Sequence, residues 1–237
     1  MRSNIIMIVY IKQAFSLLFG GDRELWQIIG VTVRMSLLST LISCLIGLPL
    51  GVAAGRANFR GKGLFIRVTN TLMGLPPVVA GLFVFMLLSR SGPFGSLKLL
   101  FSVTAMVIAQ VILITPIITG LSVSISSSKA VRLKETAAGL GIGSFRQVLL
   151  LLSECRVQLI SVALTGFGRA VSEVGAVQLV GGNIQFKTRV MTTAIMLETS
   201  KGNFEFAVAL GIILLLLAFI FNSVAYIMQE KFNDRNQ

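Results

Sequence analysis

Side chains able to do chemistry gather at two places in this 237-residue sequence. The first is Arg169 with Glu173, opposite charges four residues apart inside the otherwise apolar stretch Val157–Phe186. On one helix they stand a turn apart and can pair. A charge at the centre of a bilayer costs about 2.5–3.5 kcal/mol on insertion scales. Each Leu, Ile, Val or Phe recovers only about 0.3–0.6 kcal/mol. Eight such residues in Leu159–Gln178 do not offset two charges, so the pair must face protein or a water-filled path. Three roles fit: an ion pair stapling helices or a dimer interface, a lining of a substrate route, or a proton relay. No further acid or histidine extends a relay.

The second place is Ser126–Arg156, the longest charged island in the chain. It holds Lys129, Arg132, Lys134, Arg146 and Arg156 against Glu135 and Glu154. Ser126, Ser127 and Ser128 offer an N-cap for a helix through Lys129–Ala138. Gly139, Gly141 and Gly143 break it, and Ser144-Phe145-Arg146-Gln147 reads as a capping box for a second helix. Small residues at Ala137, Ala138 and Gly139 let another backbone approach. Two caps around a glycine turn describe a built surface rather than a slack connector.

Other chemistry is excluded by composition. There is no histidine, carboxylates are few, and Cys44 and Cys155 have no metal-ligand spacing and imply no disulfide framework. Gly139–Gly143 is glycine-rich but lacks the lysine and the preceding strand of a phosphate loop. Hydrophobic residues make up 54% of the chain and charged ones 13%, and the mean hydropathy is +0.87. The apolar residues fall into blocks long enough to cross a bilayer. The net charge of +12 sits in the short connectors between those blocks, where it holds segments on the cytoplasmic side and needs no nucleic acid to explain it.

The elements that must position both places are membrane helices. Residues 1–24 read as an interfacial helix or an extra span. Met35–Gly55 is the first firm span, with Gly47, Pro49 and Gly51 punctuating its far end, and the basic connector Arg56–Arg67 is cytoplasmic. Val68–Ser89 is the second, bent at Gly74-Leu75-Pro76-Pro77 either for packing or to line a path. After the hairpin Arg90–Lys98, Leu99–Ser122 is the third span and returns the island to the cytoplasm. Val157–Phe186 is the fourth. Thr188–Ser200 is a short outer amphipathic segment, and Phe206–Met228 is the last span before a cytoplasmic tail at 231–237. The fold class is an all-α polytopic membrane protein with five core spans and an N-terminal candidate sixth.

The island resembles the cytoplasmic Glu-Ala-Ala loop of binding-protein-dependent ABC importer permeases. Its pattern of Glu-Ala-Ala, three residues, then Gly is met by Glu135, Thr136, Ala137 and Gly141. Thr136 replaces the first alanine, and Leu151, Ser153 and Glu154 stand where the family has Ile, Leu and Pro. Gly166–Phe204 is similar to the oxyanion branch of the family, with Ser172-Glu173-Val174-Gly175-Ala176 in place of a Gly-Glu-Phe-Gly-Ala core. Gly168-Arg169-Ala170, Gly181-Gly182-Asn183-Ile184, Leu197–Gly202, Asn70–Val79 and Leu87–Gly95 look most like the tungstate-specific permeases; molybdate is a near-isosteric alternative.

The resemblance implies a MetI-like permease fold over residues 25–230 in the cell (inner) membrane. It implies a homodimer with the path on its two-fold axis, a cytoplasmic ABC ATPase dimer, an extracytoplasmic substrate-binding protein and contact with membrane lipid. Glu135, Thr136, Ala137, Ala138 and Gly141 would dock the ATPase, which holds the ATP and magnesium; this chain would carry no cofactor. Arg169, Ser172, Glu173 and Gly175 would line the path or form a structural ion pair, and Pro76 and Pro77 would kink a helix. An autonomous channel or secondary transporter is the competing class, and it would need a selectivity ring or buried ion ligands.

Overall fold

Lipid cannot satisfy backbone N–H and C=O groups, so apolar runs of this length must close their own hydrogen bonds as helices. The computed structural model describes residues 23–139 and 142–234, and every regular element among them is helical. They are α1 (Arg23–Arg56), α2 (Lys62–Met73), α3 (Pro77–Leu88), α4 (Val103–Gly139) and α5 (Ser144–Glu154). After these come α6 (Arg156–Val171), α7 (Gly175–Gly181), α8 (Met191–Ser200) and α9 (Phe204–Asp234). Three helices are apolar and long enough to cross a membrane, over Arg23–Arg56, Val103–Ala130 and Phe204–Val224. Two bent pairs, α2 with α3 and α5 with α6, bring the count to five if each is one span. This is an all-α polytopic membrane protein.

Several expected boundaries move. The first span starts at Arg23 rather than Met35, with Glu24 in its first turn and Arg56 in its last, each at the end of the helix where its charge is favoured. Pro49 and the glycines beside it do not end α1, which runs on to Arg56. At 34 residues it is about 51 Å long, well beyond a hydrocarbon core of about 30 Å. The bend expected within Val68–Ser89 is a break between two helices. Gly74 closes α2, and Pro77 opens α3 at the first helical position, where a missing N–H costs nothing.

The largest correction concerns the island. α4 continues without a break for 37 residues from Val103 to Gly139, so Ser126–Ser128 cap nothing. Ser126 Oγ donates to the Ser122 carbonyl (2.6 Å) and Ser128 Oγ to that of Ile125 (2.8 Å), the back-bonding of mid-helix serines. Val157–Phe186 is likewise not one span, since α6 ends at Val171 and α7 starts only at Gly175. The last helix is longer than expected, and residues 1–22, with the interfacial or sixth segment, lie outside the described residues.

The chain forms two compact units. One contains residues 23–37, with Pro77–Gln110 and Val171–Val224. Its core joins Leu25, Ile28 and Ile29 of α1 to Met191 and Ala194 of α8 and to Ala209, Leu210 and Ile213 of α9. In the same unit α3 meets α7 where Gly81 faces Ala176; a Cβ on Gly81 would lie 2.6 Å from the Ala176 Cα.

The other unit contains, among the described residues, those of Leu38–Pro76, Val111–Ala170 and 225–234. Val52, Ala130, Leu151, Cys155 and Leu159 form one cluster of its core, and Ile114, Ile118, Val162 and Ala170 a second. Here α1 and α4 touch backbone to backbone along Gly47, Gly51 and Gly55, which face Ile118 and Thr119, then Ser122, then Ser126. Glycines four apart are the means by which membrane helices approach closely. Large apolar side chains such as Leu41, Leu45, Leu215 and Phe219 remain exposed on α1 and α9, as expected of surfaces that meet lipid or other spans.

Candidate functional site

Of the expected docking residues, Glu135, Thr136, Ala137 and Ala138 belong to the last turns of α4, and Gly141 lies outside the described residues. The island's first helix is therefore the end of a membrane helix, not a separate piece. Its second helix, α5, starts at Ser144 as expected, but no capping box forms; Gly143 is the N-cap and no side chain bonds there. Gln147 turns instead to a partner 91 positions earlier. Its Oε1 accepts hydrogen bonds from Arg56 Nε (2.9 Å) and Nη2 (2.7 Å), and its Nε2 donates to the Ile142 carbonyl (2.6 Å). Arg56 Nη2 also donates to Ser144 Oγ (3.2 Å).

Two more cations fix the same end of the molecule. Lys62 Nζ donates to the carbonyls of Gly55 (3.0 Å) and Ala57 (2.9 Å), satisfying acceptors where α1 stops. Lys129 Nζ donates to the Glu154 carbonyl (2.9 Å) and stands 3.8 Å from its Oε1, joining α4 to the end of α5. α5 buries Gln147 and Leu151 and exposes Phe145, Leu149 and Leu150. Among the described residues, side-chain ties and not caps hold the two ends of the island.

Arg169 occupies the last turn of α6, where the helix dipole favours a cation. Glu173 lies beyond that helix, so the shared helical register expected for the two residues does not exist. The Glu173 side chain is 3% exposed; its Oε1 accepts from the Ala176 N–H (3.1 Å), a first-turn donor of α7. Its carbonyl accepts from Thr192 Oγ1 of α8 (2.8 Å). Ser172 is exposed in the linker, and Gly175 begins α7 against Val78 of α3. The Glu-Val-Gly-Ala core thus acts as a joint, in which a buried acceptor followed by two small residues seats α7 on α3. Pro76 lies in the break before α3 and Pro77 begins that helix.

The two other distinctive motifs are also structural joints. In Gly181-Gly182-Asn183-Ile184, Gly182 (φ 70°) and Asn183 (φ 50°) take left-handed conformations. Asn183 Oδ1 accepts from Thr193 Oγ1 (3.0 Å), and Thr188 Oγ1 donates to the Gly181 carbonyl (2.6 Å). In Leu197–Gly202, Gly202 (φ 78°) ends α8, and Glu198 takes Lys201 Nζ (2.8 Å) on one oxygen and Asn203 Nδ2 (2.9 Å) on the other. The hydrogen bond from Lys201 is the main reason the Glu198 carboxyl is held below its usual range, with Asn203 adding to it and burial opposing. Asn203 then caps α9 through Phe206 N–H (3.4 Å). Arg56 and Gln147 were not legible as a pair, and nothing in local spacing could reveal them. The Gly47, Gly51, Gly55 repeat was a readable signal.

Helices of membrane-crossing length, with a charged loop tied to one of them, describe an integral membrane protein. The chain belongs to the binding-protein-dependent transport system inner membrane component family, whose description matches residues 47–235. It is 41% identical over 220 residues to the tungstate uptake system permease protein TupB of Peptoclostridium acidaminophilum, covering 93% of this chain and 96% of that one. A probable anion ABC transporter permease protein of Haloferax volcanii is 39% identical, covering 91% and 97%. The TupB protein of Campylobacter jejuni is 36% identical, covering 91% and 90%. The protein is thus an inner-membrane permease subunit of an ABC importer, a family that works with a separate ATPase and a substrate-binding protein.

Proposed function

We propose that this permease carries tungstate inward by alternating access, as a homodimer driven by a cytoplasmic ATPase dimer. The observation that carries the substrate is the 41% identity, nearly end to end, with a tungstate uptake permease. A tetrahedral dianion delivered by an external binding protein needs no metal or cofactor on this chain; ATP and magnesium bind the ATPase. The docking surface is Glu135, Thr136, Ala137, Ala138 and Gly141. Its position at the end of a 37-residue helix supports this, because a push there moves a whole membrane helix. Arg169, Ser172 and Glu173 border the substrate route, and Gly175, Pro76 and Pro77 shape it.

Substrate class is tested by uptake of labelled tungstate into vesicles holding the permease, its ATPase and its binding protein. Excess unlabelled molybdate is expected to compete, because it is nearly isosteric, and sulfate to compete far less. Sulfate competing as well as tungstate itself would contradict the assignment.

A further inference from the structure

We infer that Arg56 is a positioning residue that ties the coupling loop to the first membrane helix, so that displacement of the loop becomes displacement of α1. The inference rests on the reading of the island as the docking surface, and it assigns a role that residue composition alone reduces to one more cytoplasmic charge.

The geometry is specific. Arg56 is the last residue of α1, and its guanidinium sits beside the first turn of α5. That is the positive end of a helix dipole, where a cation is disfavoured, so simple charge attraction would not put it there. Its planar fork does: two nitrogens converge on Gln147 Oε1, and one also reaches Ser144 Oγ. Gln147 is 9% exposed, so water does not readily replace a lost partner. The same amide holds the Ile142 carbonyl, and the tie therefore includes the turn that enters α5. In the last turns of α1 before Arg56, Gly51 and Gly55 lie against α4, with Ser126 Oγ and Ser127 Oγ directed at their carbonyls (3.4 Å each). α4 in turn carries Glu135–Ala138. Arg56 thereby closes a loop of contacts from α1 through α4 and the island back to α1, all inside one compact unit.

The test reconstitutes the complete transporter in proteoliposomes and measures tungstate moved per ATP hydrolysed, together with the amount of ATPase that co-purifies. In Arg56→Ala and in Gln147→Leu, the ATPase is expected to remain bound while transport per ATP falls about tenfold, the effect of removing a charge-assisted hydrogen bond. Arg56→Lys is expected to recover little, because an ammonium is a point donor and not a fork. Gln147→Glu keeps the acceptor for Arg56 but loses the donor to the Ile142 carbonyl, and is expected to fall between wild type and Gln147→Leu. A wild-type transport ratio in either Arg56→Ala or Gln147→Leu overturns the inference, and so does loss of ATPase binding, since the tie acts after docking. Wild-type uptake that persists without the ATPase would instead remove the underlying reading of the island, and that failure shows before any variant is made.

Discussion

Gly51→Leu lowers the thermal unfolding midpoint of the purified permease by about 2–12 °C, the consequence of an overpacking penalty of about 1–3 kcal/mol in a chain of this size. The site leaves no room. A Cβ on Gly51 would stand 2.5 Å from the Ser122 Cβ and 2.6 Å from the Thr119 carbonyl oxygen, and the second of these is backbone. Backbone cannot rotate away as a side-chain tip can, so α1 and α4 must separate. Separation strains the glycine contacts on either side at Gly47 and Gly55 and the Ser126 hydroxyl directed at the Gly51 carbonyl. Gly51→Ala shows the same effect in smaller measure. Gly30 on the same helix has nothing within 4 Å of its Cβ position. Gly30→Ala leaves the midpoint unchanged or raises it, because alanine favours the helix. Equal midpoints for Gly51→Leu and wild type in a thermal melt would refute the close crossing.

Glu173→Ala costs about 1–3 kcal/mol and most of the transport, because it strips a buried N–H of its acceptor. The first turn of a short helix has few ways to satisfy its free donors, and Glu173 Oε1 serves Ala176. Loss of that anchor loosens α7, whose Ala176 lies against Gly81 of α3. Glu173→Gln keeps an acceptor oxygen and retains the folded protein. The two substitutions therefore separate structure from charge: if Gln preserves stability but not uptake, the negative charge itself serves transport. The double variant Arg169→Ala with Glu173→Ala is expected to remain unstable, since removing the arginine does not supply the missing acceptor. A double variant as stable as wild type would show that Glu173 is there only to balance Arg169.

Much of this was legible in the sequence because lipid makes composition decisive. Apolar blocks marked the spans, Gly74–Pro77 marked a bend where the structure has a full break, and Ser144 marked the start of α5. Local signals failed where one residue type serves two purposes. Ser126–Ser128 could cap a new helix or bond back within an old one, and only the continuity of α4 decides. The interruption at Ser172–Val174 carries no proline, so hydropathy ran across it. The Glu-Ala-Ala resemblance could be read from Glu135 to Gly141, but the side chains that tie this loop to α1 are those of residues 56 and 147. Such a contact is a product of the fold, and no spacing rule reaches it.

The central claim is that a partner ATPase drives this permease through the island, and uptake of labelled tungstate into ATP-loaded vesicles tests it most directly. Vesicles bearing permease, binding protein and ATPase should accumulate the anion. Vesicles lacking the ATPase, and those with fully inserted Gly141→Arg permease, should not. Equal accumulation with and without the ATPase would contradict the account.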